Sequence, residues 1–120
     1  MRGILLAMAM FLLVGCSRTT GRYAACDPLP PHGALSKTST EALWSLVDNY
    51  RLCPGDDNFS KEEVALLELV RRKDPRATYE LGSEYKTGFI DREAEGDRLV
   101  HASAELGYAP AKNELRSGGH

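Results

Sequence analysis

The sequence predicts an all-α fold, a short array of helical hairpins about two and a half repeats long, set behind a flexible tether. Three observations carry that expectation. Between residues 38 and 117 the apolar positions follow helical spacing, with neither sustained alternation nor the β-branched runs that strands require. Helix start and stop signals punctuate the same stretch. Apolar residues also return at a fixed interval of 34 or 35 positions.

The chain opens with Met1-Arg2, runs through about eleven apolar residues from Ile4 to Val14, and reaches Gly15-Cys16 before any acidic residue occurs. A bilayer-spanning helix needs roughly 20 apolar residues, so this stretch reads as a secretory signal. An ordinary signal peptide cut near Ala24 or Ala25 is one form it could take. The sharper match is Leu13-Val14-Gly15-Cys16, which resembles the lipobox of bacterial lipoproteins. That resemblance implies that residues 1–15 are removed and that Cys16 becomes the acylated first residue. Each buried methylene contributes about 0.8 kcal/mol, so the two or three acyl chains implied on Cys16 hold a membrane far more firmly than one chain. Ser17 stands where many inner-membrane lipoproteins carry Asp, which by resemblance directs the protein to the outer membrane, facing the periplasm.

The full chain carries 15 basic and 17 acidic residues, and loss of Arg2 with the signal leaves a net charge near -3. That balance argues against a nucleic-acid partner. The 105 residues from Cys16 onward suffice for one domain with one modest core. Export places Cys26 and Cys53 in an oxidising compartment, where a disulfide between them is the expectation. Closing a loop of about 28 residues would stabilise the fold by roughly 3.5 kcal/mol on the chain-entropy model. A metal site is the alternative for these cysteines, but His32, His101 and His120 are scattered without zinc-type spacing. No cofactor is implied.

Residues 16–37 read as the lipid-anchored tether, polar at first and then rich in turn formers at Pro28, Pro30, Pro31 and Gly33. The nine residues between Cys16 and Cys26 reach at most about 30 Å when extended. The repeat domain follows over residues 38–117. Thr38 with Glu41 fits a capping box, and Ser60 with Glu63 repeats it, with Phe59 and Val64 placed as a hydrophobic staple. Asp74-Pro75 offers an N-cap and a proline at the first helical position. Gly88 and Gly107 are natural stops, and Asp91 can cap the helix between them. These signals predict helices near 39–52, 61–73, 75–87, 92–106 and 109–116.

Ala42, Leu46, Tyr50 and Cys53 recur 35 residues later as Ala77, Leu81, Tyr85 and Gly88, and Val64 matches Leu99. Ala111 and Leu115 begin a third copy. A period of this length describes stacked hairpins, each unable to bury its apolar face without a neighbour. The second copy, Ala77-x-x-x-Leu81-Gly82-x-x-Tyr85-x-x-Gly88 followed by Leu99, Ser103-Ala104, Gly107-x-Ala109-x-Ala111 and Leu115, resembles the Sel-one-like repeat, a relative of the tetratricopeptide repeat. Gly82 and Ala104 would let neighbouring helices approach closely. The loop after Gly88 is about two residues shorter than in that family, Leu99 stands where Trp is common, and Arg116 replaces a glycine. Proteins with such repeats serve as adaptors or scaffolds, so the resemblance implies a protein-binding partner in the cell envelope. A second expectation is a pilot lipoprotein that escorts a secretion or polysaccharide-export component.

The mature chain carries no recognised catalytic motif. Asp97, His101 and Glu105 stand four apart on one helix, a spacing that can place a base and more commonly marks a solvated face. Trp44 and Tyr79 occupy equivalent repeat positions, as do Arg51 and Lys86. An aromatic and a cation repeated on the concave surface could hold a peptide; equally, both rings could pack between neighbouring hairpins.

Overall fold

The computed structural model describes residues 28–31, 33–53, 58–88 and 90–118. The signal segment 1–15, the lipidation position Cys16 and the cysteine Cys26 lie outside the described residues. Five α-helices follow one another: α1 (Thr40–Leu52), α2 (Asn58–Arg71), α3 (Pro75–Gly88), α4 (Glu93–Glu105) and α5 (Ala109–Arg116). Short 3-10 turns, Leu35–Lys37 and Ile90–Arg92, precede α1 and α4. Among the described residues there is no strand, and the fold is the all-α hairpin array expected from the sequence. α1 pairs with α2, α3 with α4, and α5 stands where the first helix of a third hairpin would.

The helix starts follow from side-chain oxygens, although not always the expected ones. Ser39 caps α1, its Oγ accepting from the Ala42 N–H at 3.1 Å. Thr38 instead donates its hydroxyl back to the Ala34 carbonyl at 2.7 Å, which closes the preceding turn and leaves Glu41 exposed. α2 begins at Asn58, so Ser60 lies inside the helix and is not its cap. That shift brings Phe59 onto the helix, where its ring packs half-buried against the core; burying an aromatic ring outweighs one cap. Asp91 falls within its 3-10 turn, and Arg92 takes the N-cap position without a side-chain cap bond. The Arg92 guanidinium is drawn away to Glu63 at 2.6 Å and to the Tyr85 ring.

Two helices end in the same way. At the end of α2 the Lys73 N–H bonds to the Val70 carbonyl and the Asp74 N–H to the Leu69 carbonyl, at 2.9 and 3.0 Å. At the end of α4 the Gly107 N–H bonds to Ala104 and the Tyr108 N–H to Ser103, at 2.9 and 3.1 Å. Both are Schellman exits, with Lys73 at φ 61° and Gly107 at φ 95°. Lys73 is therefore the first-copy counterpart of Gly107, 34 residues earlier. Gly88, expected to be a left-handed stop, is simply the last residue of α3; positive φ among the described residues occurs only at Lys73, Gly107 and Gly118.

Burial defines the repeat register. In the first helices Leu43, Val47 and Tyr50 are buried where Thr78, Gly82 and Tyr85 are buried 35 residues later. In the second helices the interval is 34: Glu62, Leu66 and Leu69 correspond to Gly96, Val100 and Ser103. The turn between α3 and α4 is one residue shorter, so Leu99 matches Ala65 and not Val64. The core joins Leu43, Val47 and Tyr50 of α1, Ala65, Leu66 and Leu69 of α2, and Ala77, Leu81 and Tyr85 of α3.

The second hairpin crosses more tightly than its composition first indicates. A Cβ on Gly82 would stand 2.9 Å from the Gly96 carbonyl oxygen, and one on Gly96 would stand 2.6 Å from that of Gly82. Ala104 is half-buried, and the close approach falls to this pair of glycines. The equivalent crossing in the first hairpin is Val47 with Glu62.

The end of the segment read as tether is fastened to the repeats. Leu29 and Leu35 pack on the core. Arg72 donates to the carbonyls of Leu35 and Ser36 at 2.9 and 3.3 Å, and the Tyr50 hydroxyl donates to the Pro28 carbonyl at 3.4 Å. Apolar side chains at 29 and 35 find a place to be buried, which a free tether would deny them.

The matched exits give a reciprocal test. A non-glycine residue in the left-handed region costs roughly 1 kcal/mol, so Lys73→Gly should raise unfolding free energy by about 0.5 to 1 kcal/mol, and Gly107→Ala should lower it by about 1 kcal/mol. Denaturant unfolding measures both changes.

Candidate functional site

The repeated aromatic and cationic positions meet their neighbours at the junctions between consecutive first helices. Asp74, held in place by the Schellman exit of α2, caps α3 through Oδ1, which accepts from the Ala77 N–H at 3.0 Å. Its other oxygen, Oδ2, accepts from Trp44 Nε1–H of α1 at 3.1 Å. Arg76, one residue into α3, lies 4.1 Å above the Trp44 ring, within cation–π distance. One helix turn of α3 thus grips Trp44 from two sides.

The next junction uses the equivalent residues with different chemistry. Tyr79 of α3 stacks obliquely on Tyr108, the residue that corresponds to Asp74, with ring centroids 5.5 Å apart. Its hydroxyl donates to Glu114 Oε1 of α5 at 3.1 Å. Burial is the main cause that pushes the Tyr79 phenol above its ordinary value. Trp44 and Tyr79 are both half-buried, and each bridges one hairpin to the next.

The cations repeat as well. Arg51 Nε meets Glu62 of α2 at 2.6 Å, and its terminal nitrogens reach Glu80 and Glu84 of α3 at 3.6 and 3.3 Å. Lys86 Nζ meets Asp97 of α4 at 3.1 Å and Glu114 of α5 at 3.3 Å. In both copies the cation joins its own second helix to the following first helix, and Glu80 and Glu114 are equivalent acceptors. All four residues singled out from the sequence therefore make junction contacts, arranged as two adjacent clusters along the array.

A third polar cluster was not foreseen. The Tyr85 hydroxyl donates to Glu63 Oε2 at 2.5 Å, Arg92 pairs with the same oxygen at 2.6 Å, and the Arg92 guanidinium lies 5.0 Å from the Tyr85 ring. Burial and the Glu63 contact push the Tyr85 phenol well up. The spacing of Tyr85 marks it as a repeat position, and nothing in that spacing shows that its hydroxyl crosses to α2.

Asp97, His101 and Glu105 do not converge. Asp97 is paired with Lys86, the His101 ring donates from Nδ1 to the Asp97 backbone carbonyl at 2.8 Å, and Glu105 is exposed. Among the described residues no group of three or more His, Cys, Asp or Glu side chains is placed to hold a metal. No described helix is long and apolar enough to cross a membrane. On the second-helix side, a shallow groove of about 420 Å³ is lined by Val70, Thr78, Leu99, Ala102 and Leu106, with Leu106 42% exposed.

Cys53 is the C-cap of α1 and is half-buried. Three residues before it, Tyr50 binds the Pro28 carbonyl, which brings the chain two residues from Cys26 to the same end of α1. No family model matches this chain, and neither a curated protein nor a solved structure matches it.

Asp74 joins a cap to an interhelical bond, and its variants separate the two. Asp74→Ala should cost about 2 kcal/mol, from a lost cap and an unpaired indole N–H. Asp74→Ser, which retains a capping oxygen but not the Trp44 acceptor, should cost about 1 kcal/mol. Urea unfolding followed by circular dichroism measures the difference.

Proposed function

We propose that the chain is an envelope lipoprotein, anchored through lipid on Cys16, that acts as a protein-binding adaptor or scaffold built on Sel-one-like helical repeats. One observation carries most of the reading: two successive junctions are made at equivalent positions, Trp44 and Arg51 in one and Tyr79 and Lys86 in the next, so the first helices are set side by side in register. Side-by-side first helices make the extended surface that such arrays offer to partners. The scattering of Asp97, His101 and Glu105 among separate contacts favours a surface over a reaction centre.

In this reading the partner lies along the stripe that runs through Asp48, Trp44, Tyr79 and Asn113. Asp48 and Asn113 are exposed, whereas the two rings between them are half-buried. The rings and their cations hold the stripe straight, and their outer edges border it. A photo-crosslinking residue placed at Asp48 or at Asn113 in cells should capture one and the same envelope protein, and the same probe at the exposed His101 on α4 should not. Capture from His101 alone would move the binding surface to the second-helix groove and reject the stripe.

We further propose the Cys26–Cys53 disulfide, supported by the Tyr50–Pro28 contact that draws the segment from Pro28 to Lys37, a strap across the first hairpin, to the end of α1. Protein taken from the envelope should have an intact mass that starts at triply or doubly acylated Cys16 and, on non-reducing peptide mapping, a linked Cys26–Cys53 pair. A mass that begins downstream of Cys16 would reject the anchor, and free thiols at both positions would reject the bridge.

A further inference from the structure

The junction between the first and second hairpins holds more carboxylates than cations. Glu62 of α2 and Glu80 and Glu84 of α3 converge on the single Arg51 guanidinium of α1, at 2.6, 3.6 and 3.3 Å. Arg76 adds a second positive charge 3.5 Å from Glu80, on the flank of the cluster. Other charged groups nearby are engaged elsewhere: Glu63 with Tyr85 and Arg92, and Asp97 of α4 with Lys86. Glu62 and Glu84 therefore share one guanidinium. The Glu62 side chain is only 8% exposed. Glu80 Oε2 and Glu84 Oε2 are buried without a hydrogen-bond partner. The next junction holds one acid fewer, since Lys86 faces only Asp97 and Glu114 and the position equivalent to Glu84 is Gly118.

We propose that a proton shared by Glu62 and Glu84 docks the first hairpin on the second, which makes this junction a pH-sensitive hinge, firm in mildly acidic medium and loosened as the medium turns alkaline. Two ionised carboxylates side by side, with one partly buried guanidinium between three acids, leave uncompensated charge in a region of poor solvation. A proton removes one charge and turns an acceptor-only carboxyl into a donor toward its neighbour. Burial, followed by the hydrogen bond and the charge of Glu62, pushes Glu84 up to about 8, against the opposing pull of Arg51.

The sign of the effect follows from proton counting. Glu84 titrates near 4.5 in the unfolded chain and near 8 in the native one. Between those values the native state holds a proton that the unfolded state has lost, so stability is full below the lower value, falls as pH rises through the window, and levels off above it. Glu68 acts in the opposite sense and outside the window: hydrogen bonds from Arg71 and Arg72 hold it down at about 2, so its contribution is lost only in strong acid.

The test is denaturant unfolding of the full chain in detergent at pH 5.5 and pH 8.5, for the parent and for Glu84→Gln. The parent's folding equilibrium constant should fall by about tenfold or more across this range. Glu84→Gln keeps a donor for Glu62 and cannot ionise, so it should lose most of that pH dependence and be more stable than the parent at pH 8.5. Equal pH dependence in the two proteins would overturn the proposal. Carboxyl carbon NMR on the labelled parent gives a second readout that needs no variant: a carboxyl of the Glu62–Glu84 pair that titrates near pH 8 supports the shared proton, and titration of both carboxyls near pH 4.5 rejects it.

Discussion

A two-helix hairpin cannot bury its apolar face alone, so this fold depends on how one hairpin is handed to the next, and at the first junction that task falls to Asp74. Its N–H closes the exit of α2 at the Leu69 carbonyl, and its backbone oxygen receives the Thr78 N–H and hydroxyl. Its two carboxylate oxygens divide between the first turn of α3 and the indole of α1. A single residue thereby fixes where α2 stops, where α3 starts and how α1 lies against both. Asp74 is followed by Pro75, whose missing N–H is one that a first helical residue leaves unpaired in any case. The rigid corner that results sets the core residues Leu43, Leu69 and Ala77 in one cluster.

How much of this was legible depended on whether the signal was local. Asp74-Pro75 and Gly107 combine a conformational requirement with a residue type that meets it, and both positions do what their types indicate. Lys73 meets the same requirement as Gly107 without the type, because the two hydrogen bonds of the exit compensate its left-handed strain; no sequence rule marks such a residue. The register of the second helices was obscured by a one-residue difference in turn length, which moved Leu99 from the apparent partner Val64 to Ala65. Gly96 carries no legible signal in the sequence, because a glycine inside a helix indicates only weakness until the facing Gly82 supplies a reason for it. The Thr38 capping signal failed because its hydroxyl closes the preceding turn at the Ala34 carbonyl, and the Ser60 signal because competing burial existed. Phe59 gains more as a packed ring on α2 than as a staple ahead of it.

The candidate binding residues show the same limit from another side. A repeated Trp or Tyr with a repeated Arg or Lys identifies positions under a common constraint, but periodicity alone does not say whether that constraint is a ligand or the neighbouring repeat. The geometry supplies the missing half. Trp44 with Asp74 and Tyr79 with Tyr108 and Glu114 are contacts along the array, and Arg51 and Lys86 each join two other helices. Such ion pairs at partly exposed sites add little stability individually. Their greater effect is on alignment, because each cation can satisfy its carboxylates only when three helices keep one relative placement.

Among the described residues the outermost helices each have one face with no neighbouring repeat, and that face needs its own closure. At the far end α5 buries Ala111 and turns Pro110, Lys112, Asn113 and Arg116 outward, so its outer side is largely polar. At the near end the strap takes that role, with Leu29 and Leu35 on the core and Arg72 holding its carbonyls. This closure also changes the reach of the proposed anchor. Were residues 16–37 all tether, 22 residues would allow a span of about 75 Å from Cys16 to α1. With the chain fastened from Pro28 onward, the twelve residues before it allow about 40 Å. Given the proposed anchor, the strap that completes the core also sets how far from a membrane the first hairpin can stand, so its contacts with Tyr50 and Arg72 link the stability of the fold to the position of the proposed binding surface.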